Sequence, residues 1–212
     1  MNPRFLAPAL LSAILLAPLG AAAQADKPAP PRAKAIEPIQ PPKDLPKPQR
    51  GDRTRNLDFL FGALKAAPDA DSAKQVESRI WALWLASGSD TANLLMTRAR
   101  TAIESNDYDM ALELLDALVK LKPDYIEGWN RRATLHYLRK EYSASMADIQ
   151  QVLIREPRHF GALSGLGMIL NEFGDEKHAL EAFRRAVEIN PYLSKIDEMI
   201  KSLSEKVEGR DI

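Results

Sequence analysis

The sequence predicts an all-α protein: a helix-turn-helix solenoid of three repeats, led by a further helical pair and closed by a C-terminal helix. Three observations carry this expectation. Pro123, Pro157 and Pro191 are spaced 34 residues apart, a period too long for a coiled coil and the length of one helix-turn-helix unit. Windows beginning at Ala92, Ile126 and Phe160 bring small residues into register, with Ala99, Ala133 and Gly167 at one position and Ala111, Ser145 and Ala179 at another. Within each window apolar residues recur at three- and four-residue intervals, the period of a half-buried helix.

The first segment, residues 1–25, stands outside the fold. A short basic start, MNPRF, precedes the apolar LAPALLSAILLAPLG and the small residues AAAQA, the order of a cleavable signal peptide. Cleavage before Gln24 or Asp26 satisfies the small-x-small rule, and Pro8, Pro18 and Gly20 disfavour a spanning helix. Export to the periplasm is expected; the alternative is an uncleaved inner-membrane anchor, the one case in which the membrane is a partner. Residues 26–56 follow as a basic, Pro-rich linker. Eight prolines lie between Pro28 and Pro48, and residues 26–55 hold eight Lys/Arg against four Asp/Glu. Such a segment cannot bury a core and is expected to be solvated and disordered. The formal net charge of the 212-residue chain is +0, so the remainder is acidic, and nothing calls for nucleic acid as a partner.

Residues 57–91 contain LDFLFGALKAA and ADSAKQVESRIWALWLASG, two helical patterns parted by Pro68 and Asp69 and out of the 34-residue register. They are expected to form a degenerate leading repeat, with Ile80, Leu83 and Trp84 facing the first true repeat. The repeats then occupy 92–125, 126–159 and 160–193. Large side chains (Leu95, Trp129 and Leu163; Leu115, Ile149 and Phe183) recur between the small ones. NDYD and EFGD mark turns inside the first and third repeats, while KPD, EPR and NPY end the second helix of each. Residues 192–212 carry Leu193, Ile196, Ile200, Leu203 and Val207 on one stripe, the mark of a capping helix.

On these residues the chain resembles the tetratricopeptide repeat (TPR) family, and more narrowly an exported bacterial member of it. The third window, GLGMILNEFGDEKHALEAFRRAVEINP, matches the family pattern almost throughout. The second contributes Trp129, Ala133, Tyr142 and Pro157, and the first Ala99, Tyr108, Ala111 and Pro123; the resemblance implies that the Trp129 ring is buried. Arg98 and Arg132 depart from it, standing where the family packs a leucine. Their stems are expected on the repeat interface and their heads on acids such as Glu113 or Asp148.

The resemblance implies a concave groove lined by first-helix side chains. Carried over residue by residue, the candidate partner-binding positions are Asn93, Met96 and Arg100, then Glu127, Asn130, Thr134 and Tyr137, then Ser164, Met168 and Asn171. Asn side chains can pair with a peptide backbone, while Met96, Met168 and Tyr137 offer adaptable apolar contact. The lysine and asparagine pattern of members that clamp a C-terminal carboxylate is not reproduced, because Met96 and Arg100 stand in its place. The function expected is a non-catalytic scaffold or adaptor that holds a segment of another protein. The alternative is a membrane-tethered structural assembly factor. The basic linker is a further candidate occupant, through Lys43, Lys47 or Arg50 on Glu104, Glu127 or Glu172, against the plainer reading of a solvated tether.

Catalysis and cofactors are not expected. Zero cysteines remove disulfides and thiolate metal sites, and the three histidines lack a metal-ligand spacing. GxxxxGK[ST], HExxH and GxSxG are all missing. His159, Ser164 and Asp175 lack the strained elbow that a hydrolase triad needs.

Overall fold

The computed structural model describes residues 50–209, so the signal segment, the linker up to residue 49 and residues 210–212 lie outside the described part. Among the described residues there are nine helices and no strand: α1 (Arg50–Lys65), α2 (Ala70–Leu85), α3 (Asp90–Glu104), α4 (Tyr108–Leu121), α5 (Ile126–Leu138), α6 (Tyr142–Arg155), α7 (Phe160–Glu172), α8 (Glu176–Ile189) and α9 (Ser194–Val207). Residues 50–56, assigned to the linker on composition, belong to α1. The buried stripe of Leu57, Leu60, Phe61 and Leu64 nucleates this helix, and each residue added upstream gains a hydrogen bond until Pro48 is approached.

The helix pairs α3–α4, α5–α6 and α7–α8 are the three repeats. One turn closes all three pairs. Asn106, Lys140 and Gly174 take positive φ values of 59°, 61° and 75°. The N–H groups of Asp107, Glu141 and Asp175 reach back five residues to the carbonyls of Ala102, His136 and Leu170, at 2.8, 2.8 and 2.9 Å. This is the left-handed C-cap that stops a helix and satisfies its last carbonyls. Asp107 and Asp175 then cap the next helix by accepting from the Met110 and His178 N–H groups. Glu141, a methylene longer, makes no such cap; its carboxylate holds His136 and Arg139 instead.

The small residues sit where the helices touch. Ala99, Ala111 and Ala179 have no exposed surface, and Ser145 donates its hydroxyl to the Ala133 carbonyl at 2.8 Å. A Cβ on Gly167 would lie 2.5 Å from the ring of Phe183. Arg132 meets its expectation: Nε and Nη2 fork onto both oxygens of Asp148 at 2.8 and 2.7 Å, and Nη1 adds Asp116 at 2.7 Å. Those bonds, Asp148 first, hold its guanidinium protonated beyond the ordinary arginine range. Arg98 does not meet it. It is exposed and makes no ion pair among the described residues, because the α4 position matching Asp148 is Leu114. Trp129 is only half-buried, with Nε1 on the Pro123 carbonyl at 2.9 Å and its ring under the guanidinium groups of Arg132 and Arg155.

The α1–α2 hairpin does not stack on the first repeat as a degenerate unit would. It lies along the edge of the array where the inter-repeat turns emerge. Its C-terminal end accepts the Tyr125 hydroxyl on the Leu85 carbonyl at 3.0 Å. One residue before it, Trp84 packs with His159 and Phe160. Farther back, Glu77 in the middle of α2 accepts from Asn190 at 3.1 Å, and the Ala67 carbonyl in the turn between α1 and α2 accepts from Tyr192. One core joins Leu57, Phe61, Leu64, Ile80 and Trp84 to Phe160, Leu163 and Ala186. The reason lies in the two faces. A stripe of tryptophan, isoleucine and leucine needs a broad apolar surface, and the third repeat offers Phe160 and Leu163 where the first offers only Ala92 and Leu95.

α9 closes the far end. Ile196 and Leu203 are buried against α8, while Val207, at the frayed end of the stripe, is exposed. Arg184 fastens α9 by a two-pronged bond to Glu208 at 2.6 and 2.8 Å.

Candidate functional site

Facing helices α5 and α7 leave a cleft of about 200 Å³ between the second and third repeats. From α5 come Asn130, Ala133, Thr134 and Tyr137, spaced to share one helix face. From α7 come Gly161, Ala162, Ser164, Gly165, Met168 and Ile169, and Ser145 and Ile149 of α6 also line it. The cleft is open because α7 carries glycine where a side chain would fill it: the nearest atom to a Cβ on Gly165 would be Ile149 Cδ1, at 3.6 Å. None of the lining residues is charged.

Its hydrogen-bonding character is lopsided. Thr134 spends its hydroxyl proton on the Asn130 carbonyl at 2.9 Å, and Ser164 spends its own on the Phe160 carbonyl at 2.8 Å. Both oxygens are left as acceptors. Tyr137 supplies a donor. Burial first, then the nearby Glu172 and Tyr142, raises its phenol above the usual tyrosine range, so it keeps its proton. Tyr137, Tyr142 and Phe173 run outward as an aromatic series with centroids 5.7 and 5.4 Å apart, and Phe173 is exposed.

The ten expected positions divide. Asn130, Thr134, Tyr137, Ser164 and Met168 come together in the cleft. Asn171 is half-buried one turn beyond its lining. The first-repeat trio lies elsewhere: Asn93 accepts from the Ser87 hydroxyl at 2.6 Å, Met96 packs into the first-repeat core, and Arg100 pairs with Glu104 at 3.6 Å on the surface. Glu127 is the clear correction. It is fully buried, with Oε1 2.8 Å from His159 Nε2 and Oε2 accepting from Asn130 Nδ2 at 3.0 Å. It cannot meet a partner or the basic linker.

His159 was missed as a residue bearing on the cleft, as was the part played by Trp81 and Trp84. A signal was present: an acid at the second position of one repeat and a histidine at the last position of the same repeat become neighbours whenever the array closes. The same bonds take His159 out of any triad with Ser164, since Nε2 is on Glu127 and Nδ1 accepts the Ala162 N–H at 3.0 Å. No group of His, Asp and Glu among the described residues could hold a metal ion, and no described helix is long and apolar enough to cross a membrane.

The tetratricopeptide repeat model matches residues 96–155 and 142–194. A TPR repeat-containing protein of Rhizobium etli is 45% identical over 155 residues, covering 73% of this chain and 76% of that protein. The chain belongs to the tetratricopeptide repeat family. Among solved TPR structures, the first TPR of Spaghetti bound to the HSP90 peptide SRMEEVD superposes with a TM-score of 0.54 at 16% identity, over 57% of this chain and 95% of that one. A crystal structure of MamA superposes with 0.53 at 19%, over 76% and 86%. At such identities these show the shared fold. TPR arrays are in general non-catalytic interaction modules, and the coarse function of this chain is that of a protein-interaction scaffold.

Proposed function

We propose that the protein is an exported scaffold that holds an extended, uncharged segment of a partner protein in the cleft between α5 and α7. The observation that carries this is the lining itself. A glycine-walled cleft without charge, offering Thr134 and Ser164 as acceptors and Tyr137 as a donor, suits backbone N–H and C=O groups flanked by small apolar side chains. Acidic tails are disfavoured. The cleft has no Lys or Arg to receive them, and Glu127 and Glu172 stand behind and beside it. This separates the chain from the neighbour whose bound peptide ends in EEVD.

Selection of random-sequence peptides against the full chain tests the reading. The winners are expected to be neutral and to shift the resonances of Tyr137, Gly165 and Met168. Gly165→Leu, which fills the cleft while keeping a helix-forming residue, is expected to weaken their binding at least about tenfold with the fold intact. Acidic winners, or winners indifferent to Gly165→Leu, would overturn it. Export rests on the AAAQA site. The mature chain is expected by mass to start at Gln24 or Asp26, whereas retention of Met1 favours the membrane-tethered assembly factor.

A further inference from the structure

An unbroken series of four side chains joins the hairpin to the cleft. Trp84 of α2 has no exposed surface, and its ring lies on the His159 imidazole with centroids 4.1 Å apart and planes 15° from parallel. His159 reaches Glu127, and Glu127 reaches Asn130, which lines the cleft. The direction of every hydrogen bond in the series is forced. His159 Nδ1 accepts the Ala162 N–H, so the ring proton sits on Nε2 and is donated to Glu127. A carboxylate only accepts, so Asn130 must turn its NH2 group inward and leave Oδ1 to an incoming group. The hairpin touches the same wall a second time, since a Cβ on Gly161 would lie 3.1 Å from Trp81 Cη2.

Resting on the cleft-binding reading above, we infer that Trp84, His159 and Glu127 are positioning residues through which the docked α1–α2 hairpin fixes the Asn130 amide with its carbonyl oxygen toward the cleft, so that hairpin docking sets the cleft's preference for N–H donors. Thr134, Ser164 and Asn130 then present acceptors together. When the hairpin lifts, Trp84 leaves His159, water reaches the Glu127–His159 pair, and the Asn130 amide is free to turn either way. The hairpin is also held far from Asn130, by Glu77 on Asn190 and by the Ala67 carbonyl on Tyr192. A change at that remote end therefore reaches the cleft through the hairpin.

Hydrogen exchange of the Asn130 side-chain NH2, followed by NMR on the full chain along a mild urea series, reads this without a ligand. Trp84→Leu removes the stack; Asn190→Ala with Tyr192→Phe removes the remote anchors and touches no member of the series. In wild type one Asn130 proton is expected to exchange at least about tenfold more slowly than those of the exposed Asn106. In the variants that protection is expected to be lost at the same urea concentration as the backbone amides of α2, and before those of α7. Asn130 following α7 instead of α2 overturns the proposal. So does one coincident transition for α2, Asn130 and α7 in all three proteins, because the hairpin is then no separate element. No peptide enters the measurement, so a cleft that binds nothing and a relay that does not operate give different results.

Discussion

Two glycines two residues apart on α7, and two arginines at the same register of adjacent repeats, show how much of the packing is decided side chain by side chain. Gly167 and Gly165 would gain the same helix propensity on becoming alanine, about 1 kcal/mol. Their surroundings differ: the new methyl would meet the buried Phe183 ring at 2.5 Å in one case and Ile149 Cδ1 at 3.6 Å in the other. Gly167→Ala is expected to destabilise by about 1–3 kcal/mol through overpacking, and Gly165→Ala to stabilise by up to about 1 kcal/mol; urea midpoints that move in the same direction would contradict the repeat packing. Arg132→Ala strands the nearly buried Asp148 and is expected to cost about 3 kcal/mol. Arg98→Ala, at an exposed residue, is expected to stay within about 0.5 kcal/mol. Equal effects at the two arginines would show that the pairing with Asp148 is energetically idle.

At the scale of the helix, the turns between paired helices make the sharpest predictions. Lys140 holds the left-handed conformation that Gly174 adopts freely in the next repeat, at a cost of about 1–2 kcal/mol to an L-residue. Allowing for the greater freedom of glycine in the unfolded chain, Lys140→Gly is expected to raise stability by about 0.5–1 kcal/mol in thermal or urea unfolding. The helix caps predict a pH dependence. The Ser72 backbone N–H holds the Asp69 carboxyl below the usual range, and His178 foremost does the same for Asp175. A carboxyl lowered on folding contributes stability that is present above its unfolded value, about 4, and is lost as pH falls through the folded one. The Asp69→Asn, Asp175→Asn double variant keeps both caps without the titration. Its melting temperature is expected to fall less steeply than wild type on acidification from about pH 5 to about pH 2.5.

Across the whole molecule, the hairpin changes the kind of array this is. A solenoid whose repeats touch only their neighbours unfolds nearly as a sum of local units. Here one hairpin contacts Tyr125, His159 and Tyr192 together, so residues from the end of the first repeat to the start of the cap share one element. Wild type is therefore expected to unfold in one transition, with tryptophan fluorescence and helix content coincident. Trp84→Ala is expected to cost about 3–5 kcal/mol and to separate the two probes, since Trp81 then reports a loosened hairpin while the second and third repeats are still joined by the core of Ala133, Ile149, Ala162 and Ile169. Coincident probes in that variant would mean that the hairpin stays docked and unfolds with the repeats even without the Trp84 ring.

The sequence by itself determined the parts that repeat. Helix type, the 34-residue unit, the small residues at helix contacts and the Pro-ended second helices follow from local periodicity, because a repeated unit meets the same neighbour each time; Asn130, Thr134, Tyr137, Ser164 and Met168 of the cleft followed from the family resemblance those repeats carry. Tertiary structure alone decided the parts that do not repeat. Leu57–Trp84 carries an apolar stripe legible in the sequence, but periodicity says only that a stripe is buried and never against what. The choice of Phe160 and Leu163 over Ala92 and Leu95 is a comparison of two surfaces distant in the chain. Glu127 was misplaced for the same reason. Its position in the repeat faces the groove, yet a hairpin lying across the inter-repeat edge supplied Trp84, covered His159 and turned an exposed acid into a buried one. Burial of a charged side chain depends on whether partners satisfy it; His159 and Asn130 of the same repeat do so, while the ring that covers the pair, Trp84, came from outside that repeat.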